Sequence, residues 1–229
     1  SAPTLHCGAV SSLVTVPIVS AIAATPRSTL LTLDLHDTPL PFTAGQAVVI
    51  GAHGETIPRP YSIACSPEQA QTTKALELLV GVDASGTPGA HLPALAACTL
   101  VDVEGPLGRF TFPDPPAQKR VLFVGGGTGI APLRAMMDHA MRAHGSMKMA
   151  LLYSARRADE FAFIDELRAH AAGGRLELHQ TVTREDQGWQ GERGRIGRAH
   201  FEAALHEPGD TLCFVCGPSA MVTESVASI

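Results

Sequence analysis

Short apolar runs recur through the first half of the chain and are separated by Pro, Gly, Asp and Ser. The runs cover residues 12–23, 28–35, 46–51, 61–65, 76–82 and 99–104. Several short apolar segments at this spacing, bounded by turn-forming residues, are typical of antiparallel strands. The first half is therefore predicted to form an antiparallel sheet that closes, or nearly closes, into a β-barrel.

The second half has a different pattern, in which apolar strands alternate with segments of helical periodicity. The predicted strands are 120–124, 148–154, 175–182 and 211–216, and the predicted helices are 132–144, 159–171, 198–205 and 218–228. This alternation predicts a parallel sheet with helices on both faces. The stiff segment Pro113–Pro116 lies between the two patterns, so we predict a barrel domain at 1–115 and an α/β domain at 116–229.

Composition and charge narrow the class of protein. Of the 229 residues, 45% are hydrophobic and 17% are charged, and the net charge of −5 argues against nucleic acid as the main partner. The 5 cysteines are scattered and odd in number, which indicates a reducing compartment, and we expect the cytoplasm. The apolar stretch 9–24 has no Lys or Arg before Arg27 and is shorter than the roughly 20 residues of a spanning helix. We therefore predict opening barrel strands there and no membrane span.

A glycine-rich segment follows the first strand of the second half. Residues 121–132 read as a buried strand, a loop containing four glycines, and a helix whose first turn suits Pro132. Such a loop lets backbone N–H groups approach a phosphate, although a tight strand-to-helix turn explains the same pattern. No Gly-Lys-Ser/Thr sequence of a P-loop follows, and Pro132 stands where G-x-G-x-x-G requires its third glycine.

Three motifs in order resemble those of the ferredoxin–NADP⁺ reductase family of flavoproteins. They are Arg59–Ser62 (Arg-Pro-Tyr-Ser), Gly127–Pro132 (Gly-Thr-Gly-Ile-Ala-Pro) and Cys216–Pro218 (Cys-Gly-Pro), with further similarity at Gly105–Phe110 and Trp189–Ile196. The resemblance implies a flavin-binding barrel followed by a nicotinamide-binding α/β domain. It also implies an active site in the cleft between them.

The first motif is the candidate flavin contact. By resemblance, Arg59 pairs with the flavin phosphate, and Pro60 biases Arg59 toward an extended backbone. The Tyr61 ring packs on the isoalloxazine, and Ser62 donates a hydrogen bond near N5, which accepts hydride. An ordinary barrel strand with a surface arginine and a half-buried tyrosine is the alternative.

The stretch that corresponds to the second flavin-phosphate element departs from the family pattern. Gly89 stands where the family often has Ser, so one hydroxyl donor is lost. Backbone N–H groups at the start of a short helix could still bind phosphate, with Thr87 or His91 contributing. We predict flavin contacts at Gly86, Gly89, His91 and Leu92, and FAD as the cofactor, with FMN as the alternative.

The other two motifs are the candidate dinucleotide site. By resemblance, Gly127–Gly129 face the pyrophosphate, and Cys216 positions nicotinamide C4 against flavin N5. A small buried apolar residue is the alternative role for Cys216. The predicted NAD(P)-binding residues are Gly127, Thr128, Gly129, Pro132, Ser154, Arg156, Thr183, Arg184, Cys216, Gly217 and Pro218. The predicted catalytic residues are Ser62 and Cys216.

Arginines near the strand ends favour NADPH over NADH. The segment Tyr153–Arg157 has no acid to chelate a ribose, and Thr183-Arg184 resembles the Ser-Arg pair that holds the 2′-phosphate in NADPH-using members. The arginines of the first segment could instead pair with Asp159 and Glu160, which keeps NADH open.

Metal chemistry has little support in the sequence. The plant-type iron–sulfur pattern C-x₄-C-x₂-C is absent, the histidines match no common metal motif, and we expect neither a cluster nor a metal. Cys213 and Cys216 have an odd separation on a predicted strand, so their side chains should lie on opposite faces.

These observations predict an NAD(P)H-dependent flavin oxidoreductase that passes electrons to a protein such as a ferredoxin, an oxygenase component or a haem protein. One alternative is a reductase of small acceptors such as free flavin or a quinone, and another is a non-catalytic subunit that keeps the fold. The family usually continues with a further strand, whereas this sequence ends at Ile229. We expect either a short terminus or a truncated sequence.

Overall fold

The computed structural model describes residues 12–36, 38–54, 58–83, 87, 92, 96–184 and 187–228. Its first half is a six-stranded antiparallel sheet in the order β4-β3-β6-β1-β2-β5. The strands are β1 Ser12–Thr25, β2 Ser28–Asp34, β3 Ala47–Ala52, β4 Arg59–Ser62, β5 Ala75–Gly81 and β6 Leu100–Leu107. An isolated bridge between Ile63, directly after β4, and Leu78 of β5 joins the two edges, so the sheet is a nearly closed barrel, as predicted.

The barrel core follows from alternation along its strands. Residues two apart point to the same face of a strand, and such pairs are buried together. The pairs are Val16 and Ile18, Leu31 and Leu33, Val48 and Ile50, Leu76 and Leu78, and Val101 and Val103. The opening stretch, predicted as more than one strand, is the single long β1, which pairs first with β6 and then with β2 across a register shift near Ile18.

The second half is a five-stranded sheet in the order β10-β9-β8-β7-β11, and every pair in it is parallel. Its strands are β7 Arg120–Gly126, β8 Lys148–Ala155, β9 Glu177–Val182, β10 Glu192–Arg193 and β11 Thr211–Cys216. The α-helices among the described residues are α1 Pro67–Thr73, α2 Ile130–Ala143, α3 Ile164–Ala172, α4 Arg198–Ala204 and α5 Ser219–Val226.

Side chains of β7 alternate between two cores, which confirms a sheet covered on both faces. Val121 and Phe123 belong to the core that contains α2, whereas Leu122 and Val124 pack with Phe201 of α4. The first of these cores also includes barrel residues, so the barrel and the parallel sheet share one continuous apolar interior. The shared barrel residues are Ala44, Ala64, Leu79 and Phe112.

Two helices differ from the prediction. The sequence Ser66-Pro67 forms an N-cap and first turn for the unpredicted α1, because the Ser66 hydroxyl accepts a hydrogen bond from the Gln69 N–H at 3.1 Å. Conversely, α3 begins at Ile164 rather than at residue 159. Phe161 is buried in the core, and Phe163 has a left-handed backbone (φ 59°), so the chain bends here before the helix starts.

Arg134 of α2 holds the two halves together. Its guanidinium donates to Glu77 Oε2 of β5 at 2.6 Å, to the Ala64 carbonyl at 2.8 Å and to both oxygens of Glu166 in α3. It also lies 4.4 Å from the Phe163 ring centroid. Burial alone would lower the pKa of Arg134, but the hydrogen bonds and charges of Glu166 and Glu77 outweigh it and raise the pKa.

Across the described ranges, every helix is too short or too polar to cross a lipid bilayer.

Candidate functional site

A cavity of about 790 Å³ lies where the barrel meets the carboxyl ends of the parallel strands, and we call it the junction cavity. The strand β7 has β8 on one side and β11 on the other. The chain runs from β7 through β8 and β9 to β10 on one side and returns to place β11 on the other side, so the strand order reverses at β7. Sheets of α/β proteins bind ligands at this kind of switch point. A smaller cavity of about 420 Å³ lies at the amino ends of β7 and β8, and its lining residues include none of the three motifs.

Both halves of the chain line the junction cavity. The barrel contributes Thr25, Arg27, Ser28, Pro60, Tyr61, Ser62, Leu79, Gly81 and Val82. The α/β half contributes Gly126–Gly129, Ala131, Ser154–Arg156, Glu160, Ala162, Thr183, Arg195, Ile196, Cys216–Pro218, Ala220, Met221 and Glu224. Residues from all three motifs therefore lie on one cavity.

The barrel wall presents side chains from the edge strand β4. Tyr61 and Ser62 pair with Val48 and Ala47 of β3, which fixes their direction. The Tyr61 ring is half-buried against the barrel core, and this burial raises the pKa of its phenol, although the nearby Arg59 charge opposes the shift. Tyr61 therefore stays a neutral aromatic surface with a hydroxyl donor at physiological pH.

The opposite wall is built largely from backbone. Gly127 has φ +54°, a conformation that L side chains rarely adopt, and a Cβ there would meet nothing within 4 Å. At Gly129 the space itself is the constraint, because a Cβ would lie 2.3 Å from the Cys216 carbonyl oxygen. Glycine thus brings the loop after β7 against the end of β11, so the second and third motifs touch through their backbones.

The start of α2 is suited to an anion. The turn Gly127–Gly129 and the helix behind it have no side-chain cap, and the first turn of α2 contains no acidic residue. Helix N-termini leave backbone N–H groups without intrahelical partners and carry the positive end of the helix dipole. Since this turn lines the junction cavity, a pyrophosphate fits here without a charge conflict.

Cys216 ends β11 beside Gly125 of β7 and lines the cavity. Burial raises the pKa of its thiol, so the group is an S–H rather than a thiolate at neutral pH. Cys216 packs toward the core that contains α2, and Cys213 packs toward the core that contains α4. The predicted opposite orientation of these two side chains is confirmed.

Three arginines give the cavity a cationic side. Arg27, Arg156 and Arg195 line it, and Arg195 pairs with Glu224 at 2.9 Å. Among the ion pairs formed within the described ranges, none includes Arg156. The alternative pairing of Arg156 with Asp159 or Glu160 is therefore not seen, and its guanidinium is available to a ligand.

Not every predicted site residue lies on the cavity. The exposed side chains of Arg59 and Arg184 are outside the cavity lining, Pro132 is buried within α2, and Leu92 is buried in the barrel core. These placements favour packing roles for Pro132 and Leu92 over direct contact with a ligand. Gly86, Gly89 and His91 lie outside the described residues.

Two cationic residues of the cavity were missed by sequence reasoning. Arg27 belongs to the tight turn between β1 and β2, and nothing in its local pattern distinguishes it from a surface turn residue. Arg195 lies within Trp189–Ile196, a segment already noted for its similarity to the family, so a signal for it existed.

Comparison with known proteins assigns the two halves of the chain to two domain families. Residues 16–112 match the oxidoreductase FAD-binding domain family, and residues 123–226 match the oxidoreductase NAD-binding domain family. The chain is 33% identical over 191 residues to ferredoxin–NADP reductase B of Sorangium cellulosum, a match that covers 80% of this chain and 76% of that protein.

Other relatives extend beyond the matched region. NADH-cytochrome b5 reductase 2 of Scheffersomyces stipitis is 29% identical over 72% of this chain, and the match covers 55% of that protein. The crystal structure of the Amycolatopsis cytochrome P450 reductase GcoB superposes with a TM-score of 0.83 and 26% identity, over 95% of this chain and 65% of that one. The chain thus spans less than two thirds of each of these two proteins.

Proposed function

The chain belongs to the ferredoxin–NADP⁺ reductase family of flavin-dependent oxidoreductases, and on this premise we propose that it moves hydride from NADPH to FAD and passes the electrons to a protein acceptor. One observation carries the proposal: a single cavity of about 790 Å³ collects the flavin motif of the barrel and both dinucleotide motifs of the α/β half. A reaction between two bound rings requires such a shared space.

The barrel wall fits a flavin ring. Pro60, Tyr61 and Ser62 line the cavity from β4, where Tyr61 offers a flat apolar face and Ser62 offers a hydroxyl. Leu79 of β5 adds apolar surface on the same wall. FAD follows from the family that residues 16–112 match, and the proposed contacts at Gly86, Gly89 and His91 remain predictions.

The opposite wall fits a nicotinamide dinucleotide. The uncapped turn Gly127–Gly129 supplies N–H groups for a pyrophosphate, and Cys216 supplies a neutral thiol beside it. Bound together, the two cofactors supply the redox chemistry, in which hydride passes from nicotinamide C4 to flavin N5. The protein's part is to orient the two rings and to exclude water between the two walls.

NADPH is the proposed donor because of the Arg156 guanidinium. Arg156 and Thr183 lie together on the cavity wall, and Arg156 forms no ion pair with another described residue. An arginine without a carboxylate partner favours the additional 2′-phosphate of NADPH through a charge-assisted contact. Arg195, in contrast, already pairs with Glu224.

A protein acceptor is proposed because this chain is similar to reductases that are named for protein acceptors. The relatives described above are named as reductases of ferredoxin, of cytochrome b5 and of cytochrome P450. Steady-state turnover tests this point: rapid reduction of a ferredoxin or a small haem protein supports it. Turnover with free flavin or a quinone alone, and none with those proteins, would indicate a reductase of small acceptors.

The central experiment is the visible absorption spectrum of the purified protein under anaerobic conditions. We expect flavin absorption that NADPH bleaches without an added partner, and bleaching by NADH at a lower rate. A protein that stays colourless after incubation with FAD or FMN would contradict the proposed function. A flavoprotein that NADH bleaches faster would contradict only the choice of NADPH.

A further inference from the structure

Three metal-ligating side chains meet at the seam between the barrel and the parallel sheet, and we call them the seam cluster. Asp114 follows the last barrel strand, His139 lies in α2, and His144 comes directly after α2. One ligand atom from each lies within 4.8 Å of the other two. None of the three lines the junction cavity, so this cluster is separate from the proposed redox site.

One distance within the seam cluster is close to the separation of two ligand atoms around a coordinated ion. His144 Nε2 lies 3.1 Å from Asp114 Oδ1. A tetrahedral zinc ion with nitrogen and oxygen ligands at about 2.0–2.2 Å holds its ligand atoms roughly 3.3–3.6 Å apart. The side chain of Asp114 is 58% exposed, so it can rotate to adjust the distance between its carboxylate and the two imidazoles.

Two buried atoms at this place lack hydrogen bonds. His144 Nε2 is shielded from solvent and has no hydrogen-bond partner, although Asp114 Oδ1 is near, and Glu68 Oε2 is also buried without a partner. Buried polar atoms are nearly always satisfied, and an exception calls for an explanation such as a bound ion. A cation held between His144 Nε2 and Asp114 Oδ1 would give this buried nitrogen the partner that it lacks.

A carboxylate outside the cluster orients one of its histidines. Glu68 Oε1 of α1 lies 2.8 Å from His139 Nδ1. With the proton on Nδ1, the Nε2 lone pair of His139 is left for a metal, an arrangement that recurs around metal-bound histidines. The buried ring of Phe112 contacts both imidazoles, with centroid distances of 5.8 Å to His139 and 6.1 Å to His144.

We propose that Asp114, His139 and His144 bind a divalent transition-metal ion of the zinc class, with Glu68 as a positioning residue. Two imidazoles and one carboxylate suit Zn²⁺, whereas Mg²⁺ and Ca²⁺ require sites made of oxygen ligands. The ion would tie the segment after the barrel to α2 and, through Glu68, to α1. Its role is to fix how the two halves of the molecule meet.

Calorimetric titration of the purified flavoprotein with Zn²⁺ tests the proposal. We expect one saturable site per chain, no comparable binding of Mg²⁺, and a higher Tm in Zn²⁺. Asp114→Asn, an exposed change that leaves the core intact, should weaken binding by at least tenfold. Glu68→Gln should weaken it by about 10- to 100-fold, the range seen when such an outer partner is lost.

The matched control is His53→Gln, because His53 pairs with Asp102 at 2.8 Å on the barrel surface without a second histidine. This variant should keep the affinity of the parent chain. Circular dichroism and the flavin spectrum should be unchanged in all variants, so that lost binding is not lost folding. No saturable binding, or equal binding by the parent and Asp114→Asn proteins, would overturn the proposal, as would an anomalous zinc peak located elsewhere in a crystal.

Discussion

The two walls of the junction cavity differ in which part of the chain faces the ligand. The barrel wall presents side chains, chiefly Tyr61 and Ser62, from β4, whose backbone pairs with β3. The opposite wall presents backbone, where Gly127 needs its positive φ and Gly129 needs its missing Cβ. Substitutions on the barrel wall should therefore lower ligand affinity gradually. On the opposite wall, a single added carbon at Gly129 is enough to cause a clash.

The largest loss of stability is expected where the two halves of the molecule are joined. Arg134→Leu removes the guanidinium that bridges Glu77 of the barrel and Glu166 of α3. Breaking a buried ion pair from one side leaves its partners unpaired, and we expect a loss of about 3 kcal/mol in the free energy of unfolding. Urea denaturation measures it.

Arg142→Leu on the same helix is the control for Arg134→Leu. Arg142 forms an exposed pair with Asp138 one turn away, and such pairs contribute less than about 0.5 kcal/mol. Equal losses in the two variants would show that the buried bridge does not hold the halves together.

The next effect concerns the wall made of backbone. In Gly129→Ala the new Cβ lies 2.3 Å from the Cys216 carbonyl oxygen and 2.7 Å from the Gly217 nitrogen. Backbone cannot move aside cheaply, so we expect a loss of about 1–3 kcal/mol in stability together with weaker dinucleotide binding. Gly209→Ala, where a Cβ meets nothing within 4 Å, should change stability by less than about 0.5 kcal/mol. A stable Gly129→Ala protein with unchanged dinucleotide affinity would refute the packing argument.

Arg156 tests whether this wall also has a side chain that selects the ligand. Arg156→Gln should raise the KM for NADPH by about tenfold, the equivalent of 1.4 kcal/mol, because a contact to the 2′-phosphate is lost. The KM for NADH should change little, since NADH has no phosphate there. Arg157→Gln is the neighbouring control, because Arg157 is outside the cavity lining. An equal rise for both dinucleotides would argue against recognition of the 2′-phosphate.

The side-chain wall should respond more gently. Tyr61→Ala removes the aromatic face proposed to pack on the flavin, and ring contacts of this kind contribute about 0.5–1.5 kcal/mol, or about 2- to 10-fold in affinity. Tyr61→Phe keeps the ring and should retain most of that affinity. Flavin dissociation constants from fluorescence titration measure both. Loss of affinity in Tyr61→Phe equal to that in Tyr61→Ala would assign the effect to the hydroxyl rather than to the ring.

The same contrast explains what the sequence could predict. Apolar runs bounded by turn-forming residues placed nearly every strand, because strands that pack in a core need such runs and the chain must turn between them. The motifs at Tyr61, Gly127 and Cys216 were recognisable by their resemblance to the family, and of these three residues Gly127 is restricted by its positive φ. Arg27 was not, since its approach to the cavity depends on barrel closure. The seam cluster was also missed, because Asp114 is distant in sequence from His139 and is brought near only by the packing of the two halves.

Cys216 belongs to the wall opposite the barrel, at the end of β11, and its substitution should have the smallest effect. Burial raises the pKa of the Cys216 thiol above its usual value, so the thiol ionises only at a more alkaline pH than a free cysteine does. The thiol is therefore protonated throughout neutral pH and acts by shape, not by charge. We expect Cys216→Ala to lower the rate of flavin reduction by only a few-fold, with an unchanged pH profile between about pH 6 and 8. Stopped-flow absorbance of the flavin across this range measures the rate. A rate that depends on pH in the parent chain but not in Cys216→Ala would show that a Cys216 thiolate takes part in the reaction.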